Sequence, residues 1–305
     1  MIYDVIILGS GPAGMTAAIY AKRAMLNAIM IDRNYVGGGQ ILNTYEVDNY
    51  PALPGISGFD LGMKMSEHAD KFGIEKLSAN VESADLSGEI KTITTDEGVI
   101  QGKTVVICTG NSPKKLAVPG EEELAGMGVS YCATCDGAFF KEKVTAVVGG
   151  GDVAVEDAIF LARGCEKVYL IHRRDSLRAA KSLQETLFNT PNIEVIYDSI
   201  VTQIIGTDSV EYAKVKNVKN ETEYDLKIDG IFIAVGNDPN VILTAGENAG
   251  LESDEKGYIK AGEDCITNIP GVFAAGDIRT KNLRQVVTAV ADGANAIESV
   301  QKFLM

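Results

Sequence analysis

A glycine-rich fingerprint near the first residue constrains the fold of this chain more than any other feature. Residues 3–8 are a short apolar run rich in β-branched side chains, and a helical pattern follows at 15–24. Between them lies the spacing G-x-G-x-x-G, which allows a tight turn, close approach of a pyrophosphate and close helix–strand packing. We therefore predict a βαβ unit that binds a dinucleotide at the N-terminus of its helix. The predicted contacts are Gly9, Ser10, Gly11, Pro12, Ala13 and Gly14.

An acid closes this first unit. A second apolar run at 28–31 ends on Asp32, which lies 18 residues after Gly14 and can accept hydrogen bonds from a ribose diol. The unit alone does not distinguish FAD from NAD. The glycine-rich stretch that follows would suit the edge of a flat heterocycle, but a surface loop of turn-forming residues explains it equally well. The residues singled out there are Gly38, Gly39, Gln40, Thr44 and Asn49.

The same arrangement recurs near the middle of the chain. A strand pattern at 144–148 leads into the spacing G-x-G-x-x-A, a helix at 153–162 and a strand at 167–171. This second strand ends on basic residues, which suit the 2′-phosphate of NADP, whereas an acid there favours the free 2′-hydroxyl of NAD. A solvated helix start is the alternative. The predicted contacts are Gly149, Gly150, Gly151, Asp152 and Val153 in the loop and His172, Arg173, Arg174 and Arg178 in the basic segment.

Both fingerprints are followed by a return strand that ends on glycine, so two similar nucleotide-binding modules are the simplest account. The first return strand ends at Thr109 and Gly110, and the second at Gly236. A last strand and helix close the chain, and the helix N-terminus could face a phosphate or a flavin edge. An ordinary final strand and helix is the simpler explanation of this pattern alone. The residues concerned are Gly276, Asp277, Arg284, Gln285 and Val286.

Composition narrows the class of protein. A length of 305 residues suggests about two domains. The net charge of −14 argues against nucleic-acid and anionic-membrane partners, because both attract basic surfaces. No apolar run approaches the ~20 residues of a membrane-spanning helix, and the first residues lack the pattern of a secretory signal. We expect a cytoplasmic protein.

A cysteine pair lies between the two fingerprints. Cys132 and Cys135 have the spacing C-x-x-C, and Asp136 follows them. Zinc would need a second pair of ligands, yet there is no other cysteine pair and His68 and His172 are the only histidines, so we predict no metal. Inert core cysteines beside a charged residue would be unusual. The remaining interpretation is a redox dithiol, whose disulfide opens and closes locally while Asp136 delivers a proton.

In combination these motifs resemble the low-molecular-weight thioredoxin reductases, the bacterial type of NADPH-dependent flavoprotein disulfide reductase. The likeness spans essentially the whole chain. It rests on both glycine fingerprints, the cysteine motif at 132–136, the basic segment at 172–178 and the pairs at 276–277 and 284–285.

The resemblance implies an α/β fold of two Rossmann-like, three-layer ββα domains, with the NADPH domain inserted into the FAD domain. The FAD domain would comprise residues 1–111 and 240–305, and the NADPH domain, which carries the cysteines, residues 112–239. Electrons would pass from NADPH through FAD to the cysteine disulfide, and then to thioredoxin or a thioredoxin-like small dithiol protein. The NADPH domain would rotate between two poses, because the nicotinamide and the disulfide cannot occupy one flavin face at the same time.

The resemblance also implies individual roles. Cys135 would face the flavin, Cys132 would attack the thioredoxin disulfide, and Asp136 would be the acid. Asp277 would bond the ribitol of FAD, with residues 284–285 near the flavin. The enzyme would be a homodimer.

Two positions depart from the family pattern, and two other functions stay open. Asn237 stands where histidine or an aromatic residue is usual, and Asn111 where alanine is common, both at the inferred domain crossings. A ferredoxin-dependent flavin thioredoxin reductase should lack the basic segment. A non-catalytic redox-sensing flavoprotein would not need the intact cysteine pair.

Overall fold

The computed structural model describes residues 1–34, 36–43, 47, 49–241 and 250–305, without the side chains of residues 43, 134 and 135. These residues form two compact units. The first unit is Met1–Ser112 with Asp238–Met305, and the second unit is Pro113–Asn237. The sequence analysis placed the two crossings of the chain after residues 111 and 239.

The elements of the described residues follow in chain order. The strands are β1 Ile2–Leu8, β2 Ala28–Asp32, β3 Glu75–Ser78, β4 Val81–Asp85, β5 Lys91–Thr95, β6 Gly98–Ile107, β7 Asn111–Pro113, β8 Val129–Ser130, β9 Val144–Gly149, β10 Lys167–Ile171, β11 Ile193–Ile196, β12 Ser199–Gly206, β13 Val210–Asn217, β14 Glu223–Lys227, β15 Gly230–Ala234, β16 Asn237–Pro239 and β17 Val272–Ala274. The helices are α1 Pro12–Arg23, α2 Gly58–Lys71, α3 Ala133–Asp136, α4 Asp152–Ala162, α5 Lys181–Phe188 and α6 Val286–Leu304.

The first unit is built on a seven-stranded sheet in the order β3-β2-β1-β6-β5-β4, with β17 also paired to β6. Strand β1 is parallel to β2 and to β6, so that Leu8 stands opposite Ile31 on one side and Ile107 on the other. Strand β17 is also parallel to β6, and its last residue, Ala274, stands opposite Ile107. The carboxyl ends of these strands therefore meet, and in doubly wound sheets ligands bind outside that edge.

Alternation along β1 divides the core of the first unit into two layers. Val5 and Ile7 pack with α1 and α6 on one face of the sheet. Ile6 and Leu8 pack on the other face with residues of β4, β5 and the segment before β17. Helices α1 and α6 approach closely, because a Cβ on Gly293 would lie 2.3 Å from the carbonyl oxygen of Ala13.

The second unit repeats this plan with different elements. Its main sheet is parallel, in the order β11-β10-β9-β15-β8, and a separate antiparallel sheet has the order β12-β13-β14. One face of the parallel sheet packs on α4 and α5, and the other on β12 and β13. The predicted α/β class with two Rossmann-like units is confirmed.

The predicted helices are confirmed with small differences at their ends. The helix predicted over 15–24 is α1, which begins three residues earlier, and the helix predicted over 153–162 is α4, which begins one residue earlier. The final helix, α6, begins at Val286, because Gln285 is its N-cap and exchanges hydrogen bonds with Thr288. No helix in the described part of the chain has the length and apolar character needed to cross a membrane.

Candidate functional site

The first glycine loop joins β1 to α1 by close backbone contacts. Gly9 has a φ of +106°, and a Cβ there would lie 2.4 Å from the carbonyl oxygen of Cys108. A Cβ on Gly14 would lie 1.8 Å from the carbonyl oxygen of Gly9. Gly11 is different: it is the N-cap of α1, and no described residue beyond its own chain neighbours has a heavy atom within 4 Å of a Cβ built on it. The open space at this helix N-terminus is suited to an anion.

Asp32 anchors the same loop. Its Oδ2 accepts hydrogen bonds from the backbone N–H and the hydroxyl of Ser10, at 2.7 and 2.8 Å. Its Oδ1 accepts from the backbone N–H of Asn34 at 2.8 Å. A carboxylate offers about four lone-pair sites, so Asp32 keeps capacity for a ribose. The sequence analysis predicted the ribose role and missed the anchoring role.

The glycine-rich stretch after β2 brings distant polar groups together. Gln40 lies on a short 3₁₀ turn, Gly39–Asn43, and its Nε2 donates to the backbone oxygen of Asn111 and, at 2.7 Å, to the side-chain Oδ1 of Asn111. Asn49 donates from Nδ2 to Oε1 of Gln285 at 2.9 Å. The predicted contact Thr44 lies outside the described residues. Spacing alone could not pair these residues, since each contact joins segments far apart in the chain.

The return strand β6 ends at Ile107, and a similar open glycine, Gly110, follows three residues later. Gly110 has a φ of +67°, and a Cβ there would meet no heavy atom within 4 Å from the rest of the described chain, apart from its two neighbours. Its carbonyl accepts from the backbone N–H of Asn240 at 2.9 Å. The hydroxyl of Thr109 donates to the carbonyl oxygen of Asn240 at 2.6 Å. Thr109 and Gly110 thus lie at the same sheet edge as the first glycine loop.

Asp277 carries a buried carboxylate oxygen that receives no hydrogen bond from the described residues. It follows β17 in a 3₁₀ turn, Gly276–Ile278, and its Oδ1 is buried with no hydrogen-bond partner in the part of the chain that the structure describes. Burial raises the pKa of Asp277, although the positive charges of Lys281 and Arg284 oppose this effect. A buried carboxylate oxygen without a donor indicates that a ligand supplies one.

A buried ionic network supports this turn. Asp292 accepts two hydrogen bonds from the guanidinium of Arg279, at 2.8 and 2.6 Å, and one from Lys281 at 2.8 Å. Its Oδ2 also accepts from the backbone N–H of Gly276 at 2.9 Å. Burial alone would raise the pKa of Asp292, but the hydrogen bonds from Arg279 and Lys281 outweigh it and lower the pKa. The sequence analysis did not identify this network.

Arg284 and Gln285 hold the entry to α6. The guanidinium of Arg284 lies 3.8 Å from the ring centroid of Tyr258 and donates to the carbonyl oxygens of Asp277 and Arg279, at 3.4 and 3.2 Å. Gln285 caps α6, and Val286 is the first residue of the helix. The predicted residues Arg284, Gln285 and Val286 therefore lie next to the turn that contains Gly276 and Asp277.

The second glycine loop joins β9 to α4 in the same way. A Cβ on Gly149 would lie 2.4 Å from the carbonyl oxygen of Ala234, and Gly151 is the N-cap of α4 with open space around it. Asp152 accepts a hydrogen bond on Oδ1 from the backbone N–H of Ala180 at 2.7 Å. Val153 is 62% exposed, which leaves its apolar side chain available to a ligand.

The basic segment is tied to this loop. The backbone N–H of Arg178 donates to the carbonyl oxygen of Gly150 at 2.7 Å. The side chains of Arg173, Arg174 and Arg178 are exposed. Among the residues that the structure describes, no carboxylate forms an ion pair with them. The segment that follows β10 thus carries three exposed arginines without an ion pair to the described residues, and its backbone is bonded to the second glycine loop.

His172 differs from these arginines. Its side chain is buried, and a Cβ on Gly150 would lie 2.2 Å from its ring. Its Nε2 lies 3.1 Å from the carbonyl oxygen of Ser176. Burial lowers the pKa of His172, and the charges of Arg178 and Arg174 lower it further. The sequence analysis grouped His172 with the basic contacts, whereas its ring packs beneath the loop.

The thiol site lies at the start of α3 in the second unit. Cys132 is disulfide-bonded, whereas Cys108, Cys165 and Cys265 are free and buried. The side chain of Cys135 lies outside what the structure describes. The buried hydroxyl of Ser130 donates to Oδ2 of Asp136 at 2.6 Å and accepts from the backbone N–H of Cys132 at 3.1 Å. This hydrogen-bonded connection was not predicted, because a serine two residues before the cysteine is its only signal in the sequence.

Two glycine loops and a disulfide-bonded cysteine define a dinucleotide-dependent disulfide oxidoreductase. The profile of the pyridine nucleotide-disulphide oxidoreductase family matches residues 3–293, and the chain belongs to this family. The resemblance drawn from the motifs is thereby confirmed.

Individual proteins similar to this chain make the comparison more specific than the family alone. The thioredoxin reductase of Listeria monocytogenes is 46% identical over 304 residues, which cover 99% of this chain and 94% of the relative. That of Streptomyces coelicolor is 43% identical over 306 residues, with the same coverage of 99% and 94%. The crystal structure of Lactococcus lactis thioredoxin reductase matches with a TM-score of 0.87 and 43% identity, over 99% of both chains.

Proposed function

We propose that this chain is a thioredoxin reductase, which uses NADPH and FAD to reduce its own cysteine disulfide and then that of thioredoxin. The observation that carries the proposal is the disulfide-bonded Cys132 in the unit that also holds the second glycine loop. The relatives named thioredoxin reductase, 43–46% identical over nearly the whole chain, supply the substrate.

The first unit fits FAD. The open space at Gly11 suits the pyrophosphate, and the unpaired Oδ1 of Asp277 suits a hydroxyl donor of the ribityl chain. We propose that FAD binds to this unit, the predicted domain of residues 1–111 and 240–305. The proposed contacts are Gly9, Ser10, Gly11, Pro12, Ala13, Gly14, Asp32, Gly38, Gly39, Gln40, Thr44, Asn49, Thr109, Gly110, Gly276, Asp277, Arg284, Gln285 and Val286.

The second unit fits NADPH. The free arginines beside Gly150 offer planar forks to a 2′-phosphate, and the open N-terminus of α4 suits the pyrophosphate. We propose that NADPH binds to the predicted domain of residues 112–239. The proposed contacts are Gly149, Gly150, Gly151, Asp152, Val153, Arg173, Arg174 and Arg178, with His172 supporting the loop from beneath.

When bound to the two units, NADPH and FAD would supply the hydride-transfer and electron-transfer chemistry that disulfide reduction requires. The protein supplies the thiols and the proton. Reduction breaks the sulfur–sulfur bond of Cys132 and Cys135, and thiol–disulfide exchange then moves the electron pair to thioredoxin. Asp136, held by Ser130, is placed to give a proton to the leaving thiolate. We also propose that the second unit rotates between two poses, since nicotinamide and disulfide need the same flavin face.

Substitutions in the basic segment test whether the cofactor is NADPH and not NADH. In Arg173→Ala and Arg174→Ala variants, NADPH binding should weaken by at least tenfold and NADH binding by less than threefold. One hydrogen bond to a charged group is worth about 1.5–3 kcal/mol. Arg163→Ala is the matched control, because Arg163 is exposed at the opposite end of α4. Equal weakening of NADPH and NADH would refute the 2′-phosphate assignment.

The same segment separates the proposal from its closest alternative. A ferredoxin-dependent reductase has no need of three free arginines beside a glycine loop. Stopped-flow mixing with NADPH should bleach the flavin absorbance within the turnover time. If NADPH leaves the flavin oxidised while a reduced ferredoxin bleaches it, the ferredoxin-dependent function is the correct one.

The division of labour between the two thiols has its own test. We propose that Cys132 attacks thioredoxin and that Cys135 faces the flavin, so a Cys135→Ser variant should form a stable mixed disulfide with thioredoxin. A Cys132→Ser variant should not. If only the Cys132→Ser variant were trapped, the two roles would be exchanged while the relay itself would stand.

We further propose that the enzyme is a homodimer in the cytoplasm, as the resemblance implies. The charge of −14 supports the absence of nucleic-acid and membrane partners. Light scattering during gel filtration measures the oligomeric state, and a mass equal to one chain would contradict the dimer.

A further inference from the structure

Asn111 lies at the sheet edge where the first unit is proposed to bind FAD. It begins β7, four residues after Ile107, the last residue of β6. Ile107 stands opposite Leu8 of β1 and Ala274 of β17. The segment after β6 therefore shares its edge with the glycine loop after β1 and with the Asp277 turn after β17.

In the side-chain amide of Asn111, the oxygen has a hydrogen-bond partner, whereas the nitrogen has none among the described residues. Its backbone oxygen can only accept a hydrogen bond, so the Gln40 atom beside it must be the donor Nε2. The same Nε2 lies 2.7 Å from the side chain of Asn111, and that neighbour must therefore be the acceptor Oδ1. The remaining atom, Nδ2, is thus a donor, and its identity does not depend on an arbitrary choice of amide orientation.

This donor is buried and without a partner. Asn111 is 4% exposed, and its Nδ2 has no hydrogen-bond partner among the described residues. A buried polar group left unsatisfied costs about 1–3 kcal/mol. A ligand with an acceptor at this place would remove the cost.

The order of the strands indicates which part of FAD reaches Asn111. Asp32 ends β2 on one side of β1, and such an acid binds the ribose of the adenosine half. The pyrophosphate belongs over the loop between β1 and α1. The rest of the FAD molecule must then extend to the other side of β1, where β6 and β17 end. That rest is the ribityl chain and the isoalloxazine ring.

We propose that Nδ2 of Asn111 donates a hydrogen bond to a carbonyl oxygen of the isoalloxazine ring, with Gln40 fixing the orientation of the amide. The inference rests on the proposed binding of FAD to the first unit. Flavin carbonyls accept hydrogen bonds in both redox states and carry more negative charge after reduction. The donor therefore stabilises the reduced flavin more than the oxidised flavin and raises the flavin midpoint potential.

The test compares flavin potentials in holoenzyme variants. A Cys132→Ser background removes the disulfide couple, so that only the flavin titrates. Asn111→Ala, which installs the residue common in the family, should reduce the preference for reduced over oxidised flavin by about three- to tenfold. For a two-electron couple this lowers the potential by about 15–30 mV. Asn111→Asp keeps the acceptor for Gln40 but replaces the donor by a charge, and it should lower the potential further.

Ser112→Ala is the matched control. Ser112 lies next to Asn111 on β7 and donates to Oδ1 of Asn240 at 2.7 Å, so its loss loosens the same strand without removing the proposed donor. This variant should keep the wild-type potential. Unchanged potentials in both Asn111 variants, or an equal shift in Ser112→Ala, would overturn the inference. Failure of the parent protein to bind FAD would instead refute the proposed function, so the two failures are distinguishable.

Discussion

Ser130 connects the two functional groups of the thiol site through one hydroxyl. The hydroxyl orients the carboxylate of Asp136 and the backbone at Cys132 together, because it is a donor to one and an acceptor for the other. It is buried, so water does not easily replace it. Ser130 therefore acts as a positioning residue for the proposed proton donor.

Removal of this hydroxyl should slow thiol exchange without affecting flavin reduction. In Ser130→Ala we expect the rate of thioredoxin reduction to fall by about tenfold, since a hydrogen bond to a charged group is worth about 1.5–3 kcal/mol. Flavin bleaching by NADPH should keep its wild-type rate. Ser199→Ala is the control, because Ser199 is another buried serine of the second unit, and its hydroxyl donates to the carbonyl oxygen of Tyr197 at 2.8 Å. Equal losses in both variants would mean a general loss of stability.

Asp292 carries the second prediction at this scale. Asp292→Asn leaves Arg279 and Lys281 buried without their counter-charge, and losing one partner of a buried pair costs about 3–5 kcal/mol. Asp70→Asn is the control, because Asp70 forms an exposed pair with Lys76, and such pairs contribute about 1 kcal/mol or less. Unfolding by urea at pH 7 measures both differences.

The pH dependence of the Asp292 variant follows from the direction of its pKa. A carboxylate with a lowered folded-state pKa stabilises the protein above its unfolded value near 3.8, and this contribution is lost as the pH falls through the folded value. The gap between wild type and Asp292→Asn should therefore narrow in acid. A gap that is constant from pH 7 to the acid limit would contradict the network.

At the scale of elements, the glycines of one loop have separate tasks. Gly14 serves packing, since a Cβ there would overlap the carbonyl of Gly9, whereas Gly11 leaves open space at the N-terminus of α1. Gly14→Ala should lower the free energy of unfolding by about 1–3 kcal/mol even at saturating FAD. Gly11→Ala should stay within about 0.5 kcal/mol but lose FAD during gel filtration. Identical behaviour of the two variants would remove the distinction.

Local sequence patterns predicted these helices and strands well, because the hydrophobic period and the glycine spacing depend only on residues close together in the chain. Helices α1 and α4 and strand β1 were predicted from such patterns. The contact of Gln40 with Asn111 spans 71 residues, and the pairing of Arg279 with Asp292 spans 13 between a turn and a helix. No periodic signal marks such contacts, since they arise only when tertiary packing brings the segments together. His172 shows the converse, because its burial beneath Gly150 overrides its place in a basic segment.

In the whole molecule, electrons must pass between two units that each carry part of the chemistry. The first unit holds the proposed flavin site, and the second unit holds the thiols and the basic segment. Each unit repeats one Rossmann-like plan, and the chain belongs to a family built for such transfers. We therefore propose that NADPH, flavin and disulfide form one connected path for electrons.

An anaerobic titration of the FAD-loaded enzyme with NADPH tests this claim most directly. The wild type should consume about two equivalents, one for the flavin and one for the disulfide, whereas Cys132→Ser should consume about one. Cys165→Ser is the control, because Cys165 is free and buried in the same unit, and it should match the wild type. Consumption of about one equivalent by all three proteins, or no flavin bleaching by NADPH, would contradict the connected path.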